Sequence, residues 1–173
     1  MAKIDPQVLA HLEWMGYVQP TGLVVSAPAM VRAGAILDRS DAEGQRLLRA
    51  CIEERQFRAG EDPEPWLPDF ETFARHVLSW NFSPKGYAGT PDSPVPEELR
   101  VTLADYGETL QPDYAVRDYG SKEGEPPWQL LVRVLEPGQD LDAVIRGPGG
   151  LEASPHSRLE RLLRRTEIKA GLL

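Results

Sequence analysis

The run Trp128-Gln129-Leu130-Leu131-Val132-Arg133-Val134-Leu135 carries apolar side chains on both faces of an extended chain, and Pro137-Gly138 closes it. A strand of that kind has to be covered on both sides, because water on either face would meet a row of aliphatic groups. Covering layers imply an α/β fold with this strand central in its sheet.

The residues before it keep a strand period. Leu99, Val101 and Leu103 alternate with Arg100, Thr102 and Ala104, a turn falls at Tyr106-Gly107, and a second β-like run covers Thr109 to Val116. This pattern predicts a hairpin and, with the apolar run, three adjacent strands within residues 99–135. Beyond it the sequence predicts a short helical piece from Leu141 to Ile145 and a flexible Gly147-Pro148-Gly149-Gly150 connection. A helix follows, capped by Ser154, with Pro155 at its first position and Leu159, Leu162 and Leu163 inward.

The first half has helical spacing. Pro6 follows Asp5 and opens a helix with Val8, Leu9, Leu12 and Met15 on one face, stopped by Gly16. Ser26 caps a short helix over Ala29 to Ala33. Asp41 opens a third, with Leu47, Leu48, Cys51 and Ile52 on one side, and Asp69 opens a fourth containing Phe70, Phe73, Ala74, Val77, Leu78 and Trp80. The expected organisation is one domain over 1–173, with a mainly helical part at 1–82 and a sheet with its covering helix at 97–173.

Composition bounds the setting. Hydrophobic residues make up 41% of the 173 and charged residues 27%, enough apolar surface for a core. The one cysteine, Cys51, cannot form an internal disulfide, the N-terminus lacks an apolar export core, and no window is apolar enough to span a bilayer. A soluble, cytoplasmic protein without a membrane partner is expected. The net charge of −8 opposes general attraction to nucleic acid, but charge is uneven. Segment 53–71 holds seven acids against Arg55 and Arg58, whereas 156–169 holds Arg158, Arg161, Arg164, Arg165 and Lys169 against Glu160 and Glu167. The four arginines are candidate contacts to DNA phosphates; the alternative is a solvated face paired to Glu160 and Glu167.

The order helix, hairpin, strand, helix resembles the restriction-endonuclease-like core. The resemblance implies an acid on the second strand and an (Asp/Glu)-x-Lys pair on the third, which together hold a divalent cation and orient water. Pro112-Asp113 falls near the start of the second strand and Gln129-Leu130-Leu131 on the third, so Asp113 and Gln129 are the candidate, degenerate catalytic positions. Gln129 is uncharged, Leu131 cannot serve, and Arg133, on the same strand face as Leu131, stays protonated. Pro-Asp is also an ordinary turn dipeptide. Glu71 suits an auxiliary acid of such a site, and equally the first turn of a helix begun at Asp69.

Three longer stretches extend the resemblance. They are Leu12-Glu13-Trp14-Met15-Gly16-Tyr17-Val18-Gln19-Pro20-Thr21-Gly22-Leu23-Val24-Val25-Ser26, then Trp128-Gln129-Leu130-Leu131-Val132, and Ser154-Pro155 with Arg158-Leu159-Glu160-Arg161-Leu162-Leu163-Arg164-Arg165-Thr166 and Gly171-Leu172-Leu173. They resemble the N-terminal region of large bacterial restriction-modification methyltransferases, of the type IIG kind and of phage-defence islands such as DISARM. The resemblance implies a parent adenine-specific DNA methyltransferase, further domains as partners, and a strand that begins at Gly171 and is truncated at the C-terminus. No Asn-Pro-Pro-Tyr-type loop and no glycine-rich cofactor loop occurs in the sequence.

Other chemistry is set aside. His11, His76, His156 and Cys51 lack metal-ligand spacing, so no metal site is expected. No cofactor is expected in this segment, with magnesium entering only if the domain cuts DNA. Trp66, Trp80, Tyr87, Tyr114 and Tyr119 either stack on bases or pack locally. The function expected is a non-cleaving or weakly active DNA-interaction or coupling domain. The alternatives are a protein-interaction module that does not bind DNA, for which the acidic 53–71 segment speaks, and an active metal-dependent endonuclease domain.

Overall fold

The computed structural model describes residues 4–17, 26–56, 59–60, 62–82, 86–124 and 127–173. Val18 to Val25 of the first resembling stretch, and Arg58 and Glu61 of the acidic segment, lie outside the described residues. The chain divides into two compact units, Met1–Gln45 and Arg46–Leu173.

The first unit holds α1 (Pro6–Tyr17) and α2 (Ala27–Arg32), and α3 (Ala42–Cys51) begins in it. Gly16 does not stop α1. The expected face is also rotated: Leu9 and Leu12 are half exposed, while Ala10 and His11 are buried. Two tethers set this rotation. His11 Nε2 lies 2.9 Å from the Ala35 carbonyl oxygen, and Gln7 Oε1 accepts from the Leu37 N–H at 3.2 Å. In α3, Asp41 accepts from the Gly44 N–H as a cap, and Cys51 is buried while Leu48 and Ile52 stay partly open.

The second unit continues with the antiparallel pair β1 (Glu53–Arg55) and β2 (Glu64–Trp66), then α4 (Phe70–His76). Asp69 caps α4 through the N–H groups of Glu71 and Thr72. Then come β3 (Tyr87–Ala88), β4 (Val101–Leu103), β5 (Glu108–Leu110), β6 (Tyr114–Arg117), β7 (Trp128–Val132), β8 (Ile145–Arg146), β9 (Glu152–Ala153), α5 (Pro155–Thr166) and β10 (Ala170–Leu172). The main sheet has four strands in the order β10-β7-β6-β3, with β7 inside it, parallel to β10 and antiparallel to β6. A mixed α/β architecture is therefore present, with Trp128–Val132 of the apolar run as an inner strand; the expected continuation to Leu135 is corrected, since Arg133 to Leu135 lie beyond the strand and Arg133 and Val134 are exposed.

Three expectations are corrected. The run Thr109 to Val116 is two strands, because Pro112 lacks an N–H and the chain turns there; β4 and β5 form their own two-stranded sheet, and β6 belongs to the main one. Residues 99–135 are thus not three adjacent strands. The segment from Leu141 to Ile145 is not helical. Asp140 Oδ1 accepts from the N–H groups of Asp142 and Ala143 at 2.9 and 3.3 Å, a turn that competes with a helix, and Ile145 enters β8. The Gly-Pro-Gly-Gly segment is the tight tip of the β8–β9 hairpin, closed by Gly147 N–H to the Leu151 carbonyl at 2.8 Å. It is packed, not loose: a Cβ on Gly149 would collide with the Tyr106 carbonyl oxygen.

The two sheet faces differ. Towards α5 lie Ala88, Ala115 and Leu131 with Leu99, Leu110, Trp128, Leu159 and Leu162. Towards α4 lie Tyr87, Val116, Tyr114 and Leu130 with Phe70, Ala74, Trp80 and Phe82. Trp128 and Leu130 share strand parity yet face opposite ways, because the β6–β7 register shifts between Val116 and Arg117 and leaves Gln129 as the extra residue of a bulge.

Candidate functional site

Asp113 lies at the entry to β6, where its N–H donates to the Val132 carbonyl at 2.9 Å. The ladder pairs Tyr114 with Val132, so Asp113 meets Arg133. Arg133 Nη1 donates to Asp113 Oδ1 at 2.8 Å, and the Val134 N–H donates to Oδ2 at 2.7 Å. Both carboxylate oxygens are engaged, in a pair about two-fifths exposed. Gln129 is not brought to this acid: it sits in the bulge at the far end of the same ladder, roughly 13 Å away at the rise of a strand. The register thus brings Asp113 to Arg133 and leaves Gln129, the other candidate catalytic position, apart from both.

Glu71 joins a different face. Its carboxylate accepts from the Tyr114 hydroxyl at 3.4 Å and lies 3.6 Å from Arg75, on the α4 side, whereas Asp113 follows the parity of Ala115 towards α5. Burial first, then the charge of Glu71 and its hydrogen bond, push the Tyr114 phenol up to about 12. Trp80, Tyr87 and Tyr114 pack into the aromatic cluster under α4, with Phe82 stacked on Tyr87 at 4.4 Å. Trp66 lies under the Arg55 guanidinium, and Tyr119 is open to solvent.

Beside Asp113 and Arg133 opens a cleft of about 500 Å³, bordered by Glu108, Gln111, Arg133, Glu136, Arg146 and Arg158. Its inner wall is an ion pair that sequence reasoning missed. Arg158 Nη1 donates to Glu108 Oε1, Nη2 donates to the Leu151 carbonyl at 3.0 Å and the Ile145 carbonyl at 3.3 Å, and Nε donates to the Ala153 carbonyl at 3.4 Å. The side chains are only 22% and 10% exposed. Glu108 Oε2 is buried without a hydrogen-bond donor. Alternation in β5 shows that Glu108 can face inward, but nothing local signals a partner so distant along the chain.

Comparison with protein-family models, curated proteins and solved structures finds no match.

The candidate DNA-contacting arginines thus separate. Arg158 stands apart from the other three, since four of its five N–H donors go to the β5 acid and three carbonyls. Arg161, Arg164 and Arg165 are exposed on α5, with Arg164 held by Glu160 at 2.6 Å in an i,i+4 pair. The cap of this helix is as expected: Ser154 accepts from the Ser157 N–H at 3.2 Å, with Pro155 first in the helix. Of the residues with ligand chemistry, His11 is tied to Ala35 and His156 Nδ1 lies 3.4 Å from Asp142 Oδ1. Among the described residues, no three His, Cys, Asp or Glu side chains gather as metal ligands, and no helix is long and apolar enough to cross a membrane. The cleft brings together carboxylates and guanidinium groups, with Glu108 tied to Arg158 through one oxygen, an arrangement that can hold a polar ligand.

Proposed function

We propose that this chain is a non-cleaving DNA-interaction or coupling domain of a bacterial restriction-modification or anti-phage DNA methyltransferase. One observation supports the reading: the main sheet and its helices run α4, β3, β6, β7, α5, β10, with the β4–β5 and β8–β9 pairs inserted, an order that resembles the proposed nuclease-like core, and Asp113 at the entry to β6 is answered by Arg133. A hydrolytic site needs carboxylates converging on a divalent cation. Here a guanidinium occupies the neighbouring strand position, and Leu131, one strand period before it, is buried and apolar. DNA would be met by Arg161, Arg164 and Arg165 on the outer side of α5.

The test is duplex binding across a salt series together with a cutting assay in magnesium or manganese. Binding that weakens steeply with salt, and loses slope in an Arg161→Ala/Arg165→Ala variant, is expected, because each phosphate contact releases counterions. Intact DNA is expected throughout. Metal-dependent cutting abolished by Asp113→Ala would establish the nuclease alternative instead. The protein-interaction alternative rests on the exposed β1–β2 pair, which carries Glu53, Glu54 and Glu64; absence of duplex binding at low salt would favour it.

A further inference from the structure

Charge on α5 is sorted by side. At about 100° per residue, Arg165 lies about 20° round the helix from Arg158 and Arg161 about 60°, whereas Arg164 lies about 120° away and only about 40° from Glu160. Two hollows show which side is which. Pro155, Arg158 and Leu162 border the cleft of about 500 Å³ on one flank of the helix, and His156, Glu160 and Leu163 border a hollow of about 210 Å³ on the other. Arg161 and Arg165 therefore belong to the cleft flank. Arg164 turns away from it towards Glu160, to which it is bonded at 2.6 Å.

The β8–β9 hairpin continues the cleft flank. The Arg158 guanidinium donates to the Ile145 and Leu151 carbonyls, so the hairpin stands beside the first turn of α5. Arg146, the next residue of β8, is exposed and borders the same cleft. Among the described residues no acid is bonded to its guanidinium, while Arg158 is taken up by Glu108. The exposed guanidinium groups of Arg146, Arg161 and Arg165 thus follow one side of the hairpin and helix. The exposed acids beside them are Glu136, at the cleft, and Glu152, the ladder partner of Arg146.

We propose, on the basis of the DNA-interaction reading above, that the duplex lies along this cleft flank, with Arg146 as a further phosphate contact that continues the line of Arg161 and Arg165. Arg164 contributes least of the exposed arginines. Arginine suits the role because it stays charged and its planar fork of donors matches phosphate oxygens. The sorting of charge selects the side: on the cleft flank each open guanidinium can replace counterions at a phosphate, whereas Glu160 on the other flank repels the same backbone. Glu152, beside Arg146, opposes the contact it adjoins, so its removal reads out the same path from the other direction.

The test follows binding of a short fluorescein-labelled DNA duplex to the full chain by anisotropy across a potassium chloride series. Arg146→Ala should flatten the slope of log affinity against log salt by about one unit, as Arg161→Ala and Arg165→Ala each do, and Arg164→Ala should flatten it by less. Glu152→Gln should tighten binding, a gain that a damaged fold does not produce, and circular dichroism checks every variant. The parent's slope retained in Arg146→Ala, or parent affinity in Glu152→Gln, would overturn the inference and leave the DNA reading standing. So would a larger loss from Arg164→Ala than from Arg146→Ala. Absence of duplex binding by the parent chain at low salt would remove the reading and the inference together.

Discussion

The two ends of α5 carry the same residue type to opposite ends. Arg158, in the first turn, is sunk beneath the β8–β9 hairpin and bonded to Glu108 and three carbonyls, while Arg164, in the last turn, is 77% exposed and is paired with Glu160 on its own helix. Nothing in the side chain decides this. What decides it is which elements stand over each turn, so a row of arginines at helical spacing can combine a structural residue with candidate phosphate contacts. Burial raises the stakes, since a charge removed from water needs a partner and one left at the surface does not.

The largest break in this comparison is Arg158→Ala. It would leave Glu108 buried with neither oxygen paired to a cation, and loss of one partner from a buried pair typically costs about 3–5 kcal/mol. A fall of that size in denaturant-derived stability is expected, and Arg158→Lys should recover little, because one ammonium cannot reach the acid and three carbonyls together. A variant as stable as the parent would mean that the pair contributes nothing to the fold.

Asp113→Ala comes next. The pair with Arg133 is half exposed, so its ionic part contributes little, and the main loss is the acceptor of the Val134 N–H at the end of β7. Destabilisation of about 1–2 kcal/mol is expected. Asp113→Asn should recover most of it, because an amide oxygen can still accept from Val134; if Asn proves as damaging as Ala, the charge matters more than the hydrogen bond.

These pairs also mark how far the sequence could be read. Local signals came through: Asp69 and Ser154 cap their helices, Pro155 starts α5, and the first five residues of the doubly apolar run form an inner strand. Each rests on residues within a turn of one another. The misreadings share a different cause. Treating Thr109 to Val116 as one strand passed over the break at Pro112, and strict alternation along 128–132 fails because of the bulge at Gln129, which depends on the facing strand. The Asp113–Arg133 contact follows from register, and the Glu108–Arg158 contact joins residues 50 apart, so neither has a signature in local spacing. The half-exposed Leu9 and Leu12 have a similar origin, since bonds to Ala35 and Leu37 fix the rotation of α1.

The opposite sheet face gives a smaller, pH-dependent effect. The Tyr114 phenol, ordinarily near 10, is pushed up to about 12, and burial raises Tyr87 in the same direction. Between those values the unfolded chain has released protons that the folded chain keeps, so the unfolded state binds fewer and stability must fall as pH rises. The contribution is fully present below about pH 10 and lost through about pH 12. Denaturant midpoints measured across that window should decline, and Tyr114→Phe should flatten the decline; an unchanged slope in the variant would place its origin elsewhere.

The smallest expected effect sharpens the opening comparison most directly. A double-mutant cycle on Glu160 and Arg164 isolates an i,i+4 pair in which both side chains are more than half exposed, and such pairs contribute about 0.3–0.5 kcal/mol, less in high salt. The parallel cycle on Glu108 and Arg158 should return a coupling several times larger and nearly independent of salt, because little solvent reaches that pair. Salt is the discriminating variable: it screens charges that water already surrounds and leaves a walled pair almost untouched. Equal couplings with equal salt dependence would mean that the first turn of α5 is as open as the last, and Arg158 would then return to the set of residues free to meet a phosphate.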